Sequence, residues 1–584
     1  MFRFLLNHVL RVPAFMKRIS EQTGCTDPAD LASMVQMGID SGSLTIFSIG
    51  EGEDARLFVK NAEVDFKGKT VPRLQRSPEE TRRRAMSPDG MLGSDLSLVY
   101  TEAVNYLSAQ SFVPNRLILD TMRALALEGF FDPKKDQMEL LMLQEFAEFG
   151  TGKYHLPMFP DFRFRIYTDS HGIASYQGGD CHRAICDFAE RLPASDDDIQ
   201  VFLNVIGDEY GVGEDNYKSI LANPVGFIKT HKGKKPFCTL RAAEAVREMK
   251  EDRCSAYVLQ QDQSNSGAAL FGWFTGDENL CRLTNFYPSR IKQDLYNAAA
   301  QFVQEADLLP VQVRSNPIFV NRSAAKVYIV PMMYGAANTS LTRGSILADA
   351  QKSKIKYLDQ IGNYLPNSLD TVSDGDLNEM YVEVWKSLGW QMAVRVASDV
   401  AKAYETSIFG SKVVSGLTSR LRPAMMSLKA ASRNANREGR ILNWTSPSGC
   451  SVYNRKFSVN MEADPVTVNL SNGGQRLRVK FQPILSTSSD AAAPPNVIHS
   501  VDASVVHFVA VMAMEAGYRL APIHDSFGTH ICGARWVREA FKTAMLKVDR
   551  QWVNNGILRP NKVDVMPYDG IDLKRFLKAQ HFLG

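Results

Sequence analysis

Two acids far apart in this chain carry its first chemical signal. Ala521-Pro522-Ile523 runs into His524-Asp525, and Ser526-Phe527-Gly528-Thr529 follows. That is the pattern of a tight strand-turn-strand with a carboxylate at its tip. A second apolar run, Tyr257-Val258-Leu259, leads to Asp262. The two acids are 263 positions apart, so only folding can join them. Either one alone reads as an ordinary turn or cap aspartate. Between them stand Arg322, Lys326 and Tyr334, at spacings of four and eight. Twelve residues make about 3.3 helical turns, so all three fall near one face of a helix. Paired carboxylates are hard oxygen ligands for magnesium, and guanidinium and ammonium groups balance a triphosphate. Together these are the groups that nucleotidyl transfer requires, in which a 3′-hydroxyl attacks an α-phosphate and pyrophosphate leaves.

Such groups need a large scaffold. At 584 residues, with 45% hydrophobic and 22% charged residues, the chain has the composition of a multidomain globular protein. Net charge is only +3, so a nucleic-acid partner must be argued from local basic runs. Eight cysteines without a C-x-x-C give no disulfide framework and favour a reducing compartment. Cys181-His182 with Cys186 lacks the second ligand pair of a zinc site. No uninterrupted apolar run of about 18 residues is present, and no membrane association is expected. The acid-free first twenty residues, with Arg3, Arg11, Lys17 and Arg18, read as a basic first helix rather than an organellar presequence.

Several elements can be placed. Residues 71–91 carry Arg82-Arg83-Arg84 among prolines and read as an exposed linker. Residues 92–150 read as two or three helices, with Leu117, Leu119, Met122 and Leu125 at helical spacing. Asp161 to Tyr167 alternates like a strand, with Arg163 and Arg165 on one face. A helix is expected over 286–310 from Pro288, and 377–437 is strongly helical. Pro331 should kink the segment bearing Arg322 and Lys326. Val466-Thr467-Val468 and Arg476-Leu477-Arg478-Val479-Lys480-Phe481 flank an Asn-Gly turn, a hairpin signal. Alternation puts Arg476, Arg478 and Lys480 on one face, which suits a DNA groove or a charge-protected edge.

Three signatures in order make the chain resemble the single-subunit RNA polymerases of the phage and mitochondrial type. They are Asp262-Gln263-Ser264-Asn265-Ser266-Gly267, the Arg-x3-Lys-x7-Tyr-Gly run from Arg322 to Gly335, and His524-Asp525-Ser526-Phe527-Gly528-Thr529. Pro495-Asn496-Val497-Ile498-His499-Ser500 is a fourth match, and Asp161-x-Arg163-x-Arg165 a fifth, with Phe164 where the family has glycine. The matches cover residues 157–584.

The resemblance implies a mostly helical α+β fold of the right-hand type. A reduced N-terminal domain and basic linker would occupy 1–91 and thumb-like helices 92–150. The palm would lie in 151–285 and 500–584, with fingers over 286–499 including a specificity-type hairpin at 466–481. It further implies two Mg2+ ions held by Asp262, Asp525 and the Gln263 carbonyl. Arg322 and Lys326 would grip the triphosphate, and Tyr334 and His499 would read the ribose. Arg163 and Arg165 would contact the template or hybrid backbone. DNA template, NTPs and RNA product are the implied partners, with an accessory single-strand-binding or promoter-opening protein and a monomeric state expected. Gly267 stands where the related family A DNA polymerases carry a glutamate that excludes a 2′-hydroxyl. A family A-like DNA polymerase and an inactive nucleic-acid-binding homologue are the alternatives. A phage enzyme working in the cytoplasm of a bacterial host is expected ahead of a mitochondrial one.

Overall fold

The computed structural model describes residues 10–11, 19, 25, 27–40, 44–49, 56–61, 96–133, 136–156, 158–168, 174–315, 319–334, 388–411, 413–454, 457–469, 476–485, 489–565 and 571–583. The architecture is mostly helical, with small antiparallel sheets set among the helices. The linker at 71–91 and Gly335 lie outside the described residues.

Eight helices and five strands frame the site. In chain order they begin with α1 (Leu98–Ser108), α2 (Asp196–Tyr210), β1 (Leu259–Asp262), α3 (Ser266–Thr275), α4 (Leu295–Glu305) and α5 (Arg322–Met333). The hairpin β2 (Phe457–Asn469) and β3 (Arg476–Leu485), helices α6 (Leu421–Arg437) and α7 (Ser489–Ala516), the short strands β4 (Ala521–Ile523) and β5 (Ser526–Thr529), and α8 (Ala534–Leu546) follow. The long α7 is the core pillar, packed by α1, α3, α6 and α8. By length and composition it could cross a membrane, but 78% of its apolar window is buried in the protein, as in a core helix.

Local chemistry explains most element boundaries. Asn321 caps α5 by accepting the Ala324 N–H at 2.8 Å, and the helix runs through Pro331 to Met333. Proline therefore does not end this helix. Three helices fill the 92–150 region, and Leu119, Met122 and Leu125 are buried as their spacing requires. The 377–437 region holds two helices, Leu388–Phe409 and α6, separated at Gly410, whose φ of +73° breaks the helical path; residues 377–387 lie outside the described set. The two hairpin strands are present, with Asn469 opposite Arg476, Thr467 opposite Arg478 and Pro465 opposite Lys480, while the expected Asn-Gly turn lies outside the described residues. Its first strand lies against the helix Pro28–Asp40.

Two expectations are corrected. The helix after Pro288 begins at Leu295, because Asp294 supplies the cap and Asn285 holds Gln293 in an irregular turn before it. The segment 161–165 is a tight turn, and only Ile166–Thr168 is a strand. The Asp161 carboxylate accepts the Arg163 and Arg165 N–H groups at 2.8 and 3.1 Å, which curls the chain back on itself.

Phe164, within that turn, has φ of +64°, the left-handed conformation glycine favours. Its ring is 1% exposed and meets Tyr100 edge-on at 5.3 Å, while its carbonyl accepts from His507 Nε2 at 3.0 Å. Burial of the ring offsets the ~1 kcal/mol backbone cost. Phe164→Ala should therefore destabilise the protein by about 3–5 kcal/mol. Phe164→Gly, which relieves the backbone, should cost about 1 kcal/mol less than alanine. Urea denaturation of both variants checks the order; an alanine variant as stable as the glycine one would remove the strain.

Candidate active site

The two distant acids meet. Strands β1, β5 and β4 form one antiparallel sheet with β5 in the centre. Asp262 lies opposite Ser526, and Asp525 sits in the two-residue turn joining β4 to β5. The Gln263 N–H donates to the Asp525 carbonyl at 3.1 Å, fixing the chains beside each other at the sheet end. Alternation decides the faces. Gln261 is fully buried on one side, donating to the Ala534 carbonyl at 2.8 Å and accepting from Arg538 Nε at 2.7 Å. Asp262, its neighbour, is exposed. The protein crowded around Asp262 and the nearby Asp525 charge raise its pKa to about 7, Glu209 adding to the rise and Lys326 opposing it. Asp262 stays open to water at the sheet end, where the like charge of Asp525 acts on it.

Lys326 and Arg322 share one face of α5. Both lie over the ring of Tyr296, at 5.9 and 5.7 Å. Arg322 is held by Asp294 through Nε at 3.0 Å and a second nitrogen at 2.8 Å. Asp294 thus caps α4 and aims Arg322 at once. The Arg322–Asp294 pair is half open to solvent, so exchanging that carboxylate for another anion costs little.

Tyr334, at the end of α5, meets the ring of His499 at 5.2 Å, near edge-on. A Cβ at Gly267 would collide with the Tyr334 hydroxyl and lie 3.1 Å from its Cζ. Only glycine leaves this tyrosine in place. Arg163 donates to His499 Nδ1 at 2.7 Å and grips Asp161 with its other nitrogens. Arg165 pairs with Asp502, both nearly buried. The structure therefore brings Asp262, Gln263, Asp525, Arg322, Lys326, Tyr334, His499, Arg163 and Arg165 into one neighbourhood. Arg476, Arg478 and Lys480 stand on the separate hairpin.

The donor set suits magnesium. Two adjacent carboxylates supply hard oxygens, and their mutual repulsion is what a divalent cation relieves. Beside them, Gln263 Nε2, Asn265 Oδ1 and His524 Nδ1 are buried polar atoms without a protein partner among the described residues. Such atoms fit a hydrated ion or phosphate ligand. Elsewhere, Cys181 and His182 gather with Glu139 rather than Cys186, but burial pushes the Cys181 thiol up, away from the thiolate a metal needs.

Comparison with known proteins agrees with this geometry. The family model described as DNA-dependent RNA polymerase matches residues 216–557, a span that includes Asp262, α5 and Asp525. The chain belongs to this family. The mitochondrial DNA-directed RNA polymerase of Schizosaccharomyces pombe is 21% identical over 422 residues, 67% of this chain and 34% of that one. DNA-directed RNA polymerase 1B, mitochondrial, of Nicotiana tabacum is 22% identical over 411 residues, 65% and 37% of the two chains. Arabidopsis thaliana DNA-directed RNA polymerase 2, chloroplastic/mitochondrial, is 22% identical over 417 residues, 65% and 36%. The chain spans about a third of the length of these curated relatives. Their organellar names overturn the expectation of a phage enzyme in a bacterial cytoplasm.

Sequence reasoning missed several residues of this polymerase-family site. Asp294 and Tyr296 carried a signal, since an Asp before an apolar-periodic run marks a helix start. Glu209, which reaches Asp262 electrostatically, carried none. Nor did residues 581–583, where the Phe582 carbonyl accepts from the Ser264 N–H at 3.0 Å and Leu583 bridges Gln263.

The crowded carboxylates make a stability prediction. An acid whose folded pKa is raised costs stability above that pKa and nothing below its unfolded value of about 4. Asp525→Asn should therefore stabilise the protein in EDTA at pH 8, by on the order of 1 kcal/mol after solvent screening of the exposed Asp262. The gain should shrink to nothing near pH 4. Urea denaturation at both pH values checks this, and equal stability of the two proteins at pH 8 would remove the repulsion.

Proposed function

We propose that the chain catalyses DNA-templated RNA synthesis from NTPs. The observation that carries this reading is the meeting of Asp262 and Asp525 at one sheet end, facing Lys326. In this reading the fold is a right hand. The palm would be built from 151–285 and 500–584, with fingers at 286–499, thumb-like helices at 92–150 and an N-terminal segment at 1–91. The hairpin at 466–481 would meet nucleic acid through Arg476, Arg478 and Lys480.

Asp262 and Asp525, with the Gln263 carbonyl, would hold magnesium, in two ions. Bound there, the metal lowers the pKa of the 3′-hydroxyl and neutralises the departing pyrophosphate. Lys326, already near Asp262, would bond the triphosphate as a point charge, and Arg322 would leave Asp294 to clamp it with two nitrogens. Both cations stay in place as charge develops on the leaving group, which is where they stabilise the transition state. Tyr334 would close over the sugar. Gly267, small enough to keep the Tyr334 hydroxyl beside it, leaves room for a ribose, which favours NTPs over dNTPs. His499 would bond the 2′-hydroxyl, and a site built to bond a hydroxyl discriminates strongly against a substrate lacking it.

Primer extension on a DNA template with magnesium tests the reading. The wild-type chain should extend with NTPs in preference to dNTPs, and Asp525→Ala should abolish extension while template binding persists. Normal turnover in Asp525→Ala would end the metal role. Tyr334→Phe should keep most of the rate and lose sugar selectivity about tenfold, the value of one hydrogen bond. An unchanged NTP/dNTP ratio of kcat/KM would remove its hydroxyl from sugar recognition.

A further inference from the structure

His499 is held by one residue whose role the sequence assigned elsewhere. Each nitrogen of the Arg163 guanidinium makes one bond. Nε and one terminal nitrogen bond the Asp161 carboxylate at 3.0 and 2.6 Å, and the other donates to His499 Nδ1 at 2.7 Å. The Phe162 ring lies 5.2 Å from the guanidinium carbon. Asp161 is itself fixed, accepting from the Arg163 and Arg165 main chain and from the Tyr167 hydroxyl at 3.2 Å. A guanidinium only donates, so the ring nitrogen facing it must carry the lone pair. A neutral imidazole with Nδ1 accepting has its proton on Nε2.

We propose that Arg163 is a positioning residue for sugar selection: it fixes His499 as the neutral tautomer that donates from Nε2. This rests on the reading that His499 bonds the 2′-hydroxyl. A donor at Nε2 obliges that hydroxyl to accept, leaving the hydroxyl proton free to go to another acceptor. A deoxynucleotide then leaves a fixed N–H without a partner, which is the costly case. Without Arg163 the ring can turn and exchange tautomers, presenting a lone pair instead, and the penalty against deoxynucleotides falls. The ring's burial, and then the neighbouring Arg165 and Arg163 charges, also disfavour the imidazolium form. Asp161 and His499 take one N–H from each of the three nitrogens, so the guanidinium is aimed at the histidine whether or not a remaining N–H also meets the nucleic-acid backbone.

A double-mutant cycle on the ratio of kcat/KM for NTP to that for dNTP tests this. Arg163→Met should lower the ratio about tenfold, by raising KM for NTP and lowering KM for dNTP as the unpaired N–H is relieved. His499→Ala should lower it at least as much, and the double variant no further than His499→Ala alone. Asp161→Asn keeps the guanidinium but loosens its aim, and should lower the ratio in the same direction; it serves as the test if Arg163→Met does not fold. An unchanged ratio in folded Arg163→Met or Asp161→Asn overturns the proposal. So does equal loss of NTP and dNTP use, or losses that add in the double variant. If His499→Ala itself keeps full selectivity, the underlying ribose reading fails, and this inference fails with it.

Discussion

The structure is organised around a repulsion. Asp262 and Asp525 are like charges held side by side at the end of one small sheet, and the sheet register gives them no way to separate. Register leaves no slack, because a slip of one residue would turn Asp262 to the buried face that Gln261 now fills. The centre strand enforces the tight fit. A Cβ at Gly528 would lie 2.9 Å from Val258 Cγ1 and collide with the Ala521 carbonyl and the Gln260 amide. Residues 581–583 close the other side by pairing with Gln263 and Ser264. The main chain thus holds the acids where their own electrostatics would not.

The surrounding charges are arranged in graded distance from that pair. Lys326 lies near enough to oppose the rise in the Asp262 pKa. Arg322 is parked on Asp294, a carboxylate already committed to capping α4. Arg165 is buried against Asp502, whose own pKa is raised to about 6 by burial and by Asp525 despite the arginine beside it. Arg163 stands between Asp161 and His499. One cation is therefore open toward the acids, one is exchangeable, and two are structural. That division suits the proposed binding of an anionic substrate beside a metal, since freely mobile cations would collapse onto the carboxylates.

What could be read from the sequence was set by how local each signal is. The strand-turn-strand around Asp525, the capped helix at 322–333 and the basic hairpin were legible, because alternation, spacing and turn residues act over a few positions. The turn at 161–165 was not. Its alternation imitates a strand, and the deciding contact is the Asp161 side chain bonding main-chain groups two and four residues on. Asp294 and Asn285 moved a helix start seven residues past its proline for the same kind of reason. Long-range contacts left no trace at all. The buried Arg241, paired with Asp187 at 2.9 Å and Glu248 at 3.2 Å, looks in sequence like any helix-surface cation. The pairing of the two acids was inferred from chemistry, by asking what their residue types could do together, and not from pattern.

Strain has collected at the same place. Asn265, His524 and Phe164 have φ of +53°, +54° and +64°, and each lies within a few residues of an acid or arginine of the site. Each carries a backbone cost of order 1 kcal/mol that must be overcome by neighbouring contacts. The ring of Phe164 is packed on Tyr100, and that of His524 meets Tyr167 at 4.8 Å. Asn265 opens α3, whose side chains from Gly267 to Thr275 are buried. Among the described residues, the Asn265 and His524 side chains also keep a buried atom without a protein partner. Repelling acids, left-handed backbone and polar atoms without a protein partner among the described residues all cost stability at this site. A ligand rich in oxygen and divalent charge would relieve the first and last of these together. The core helix α7 and the helices packed on it supply the burial that lets the fold tolerate these costs.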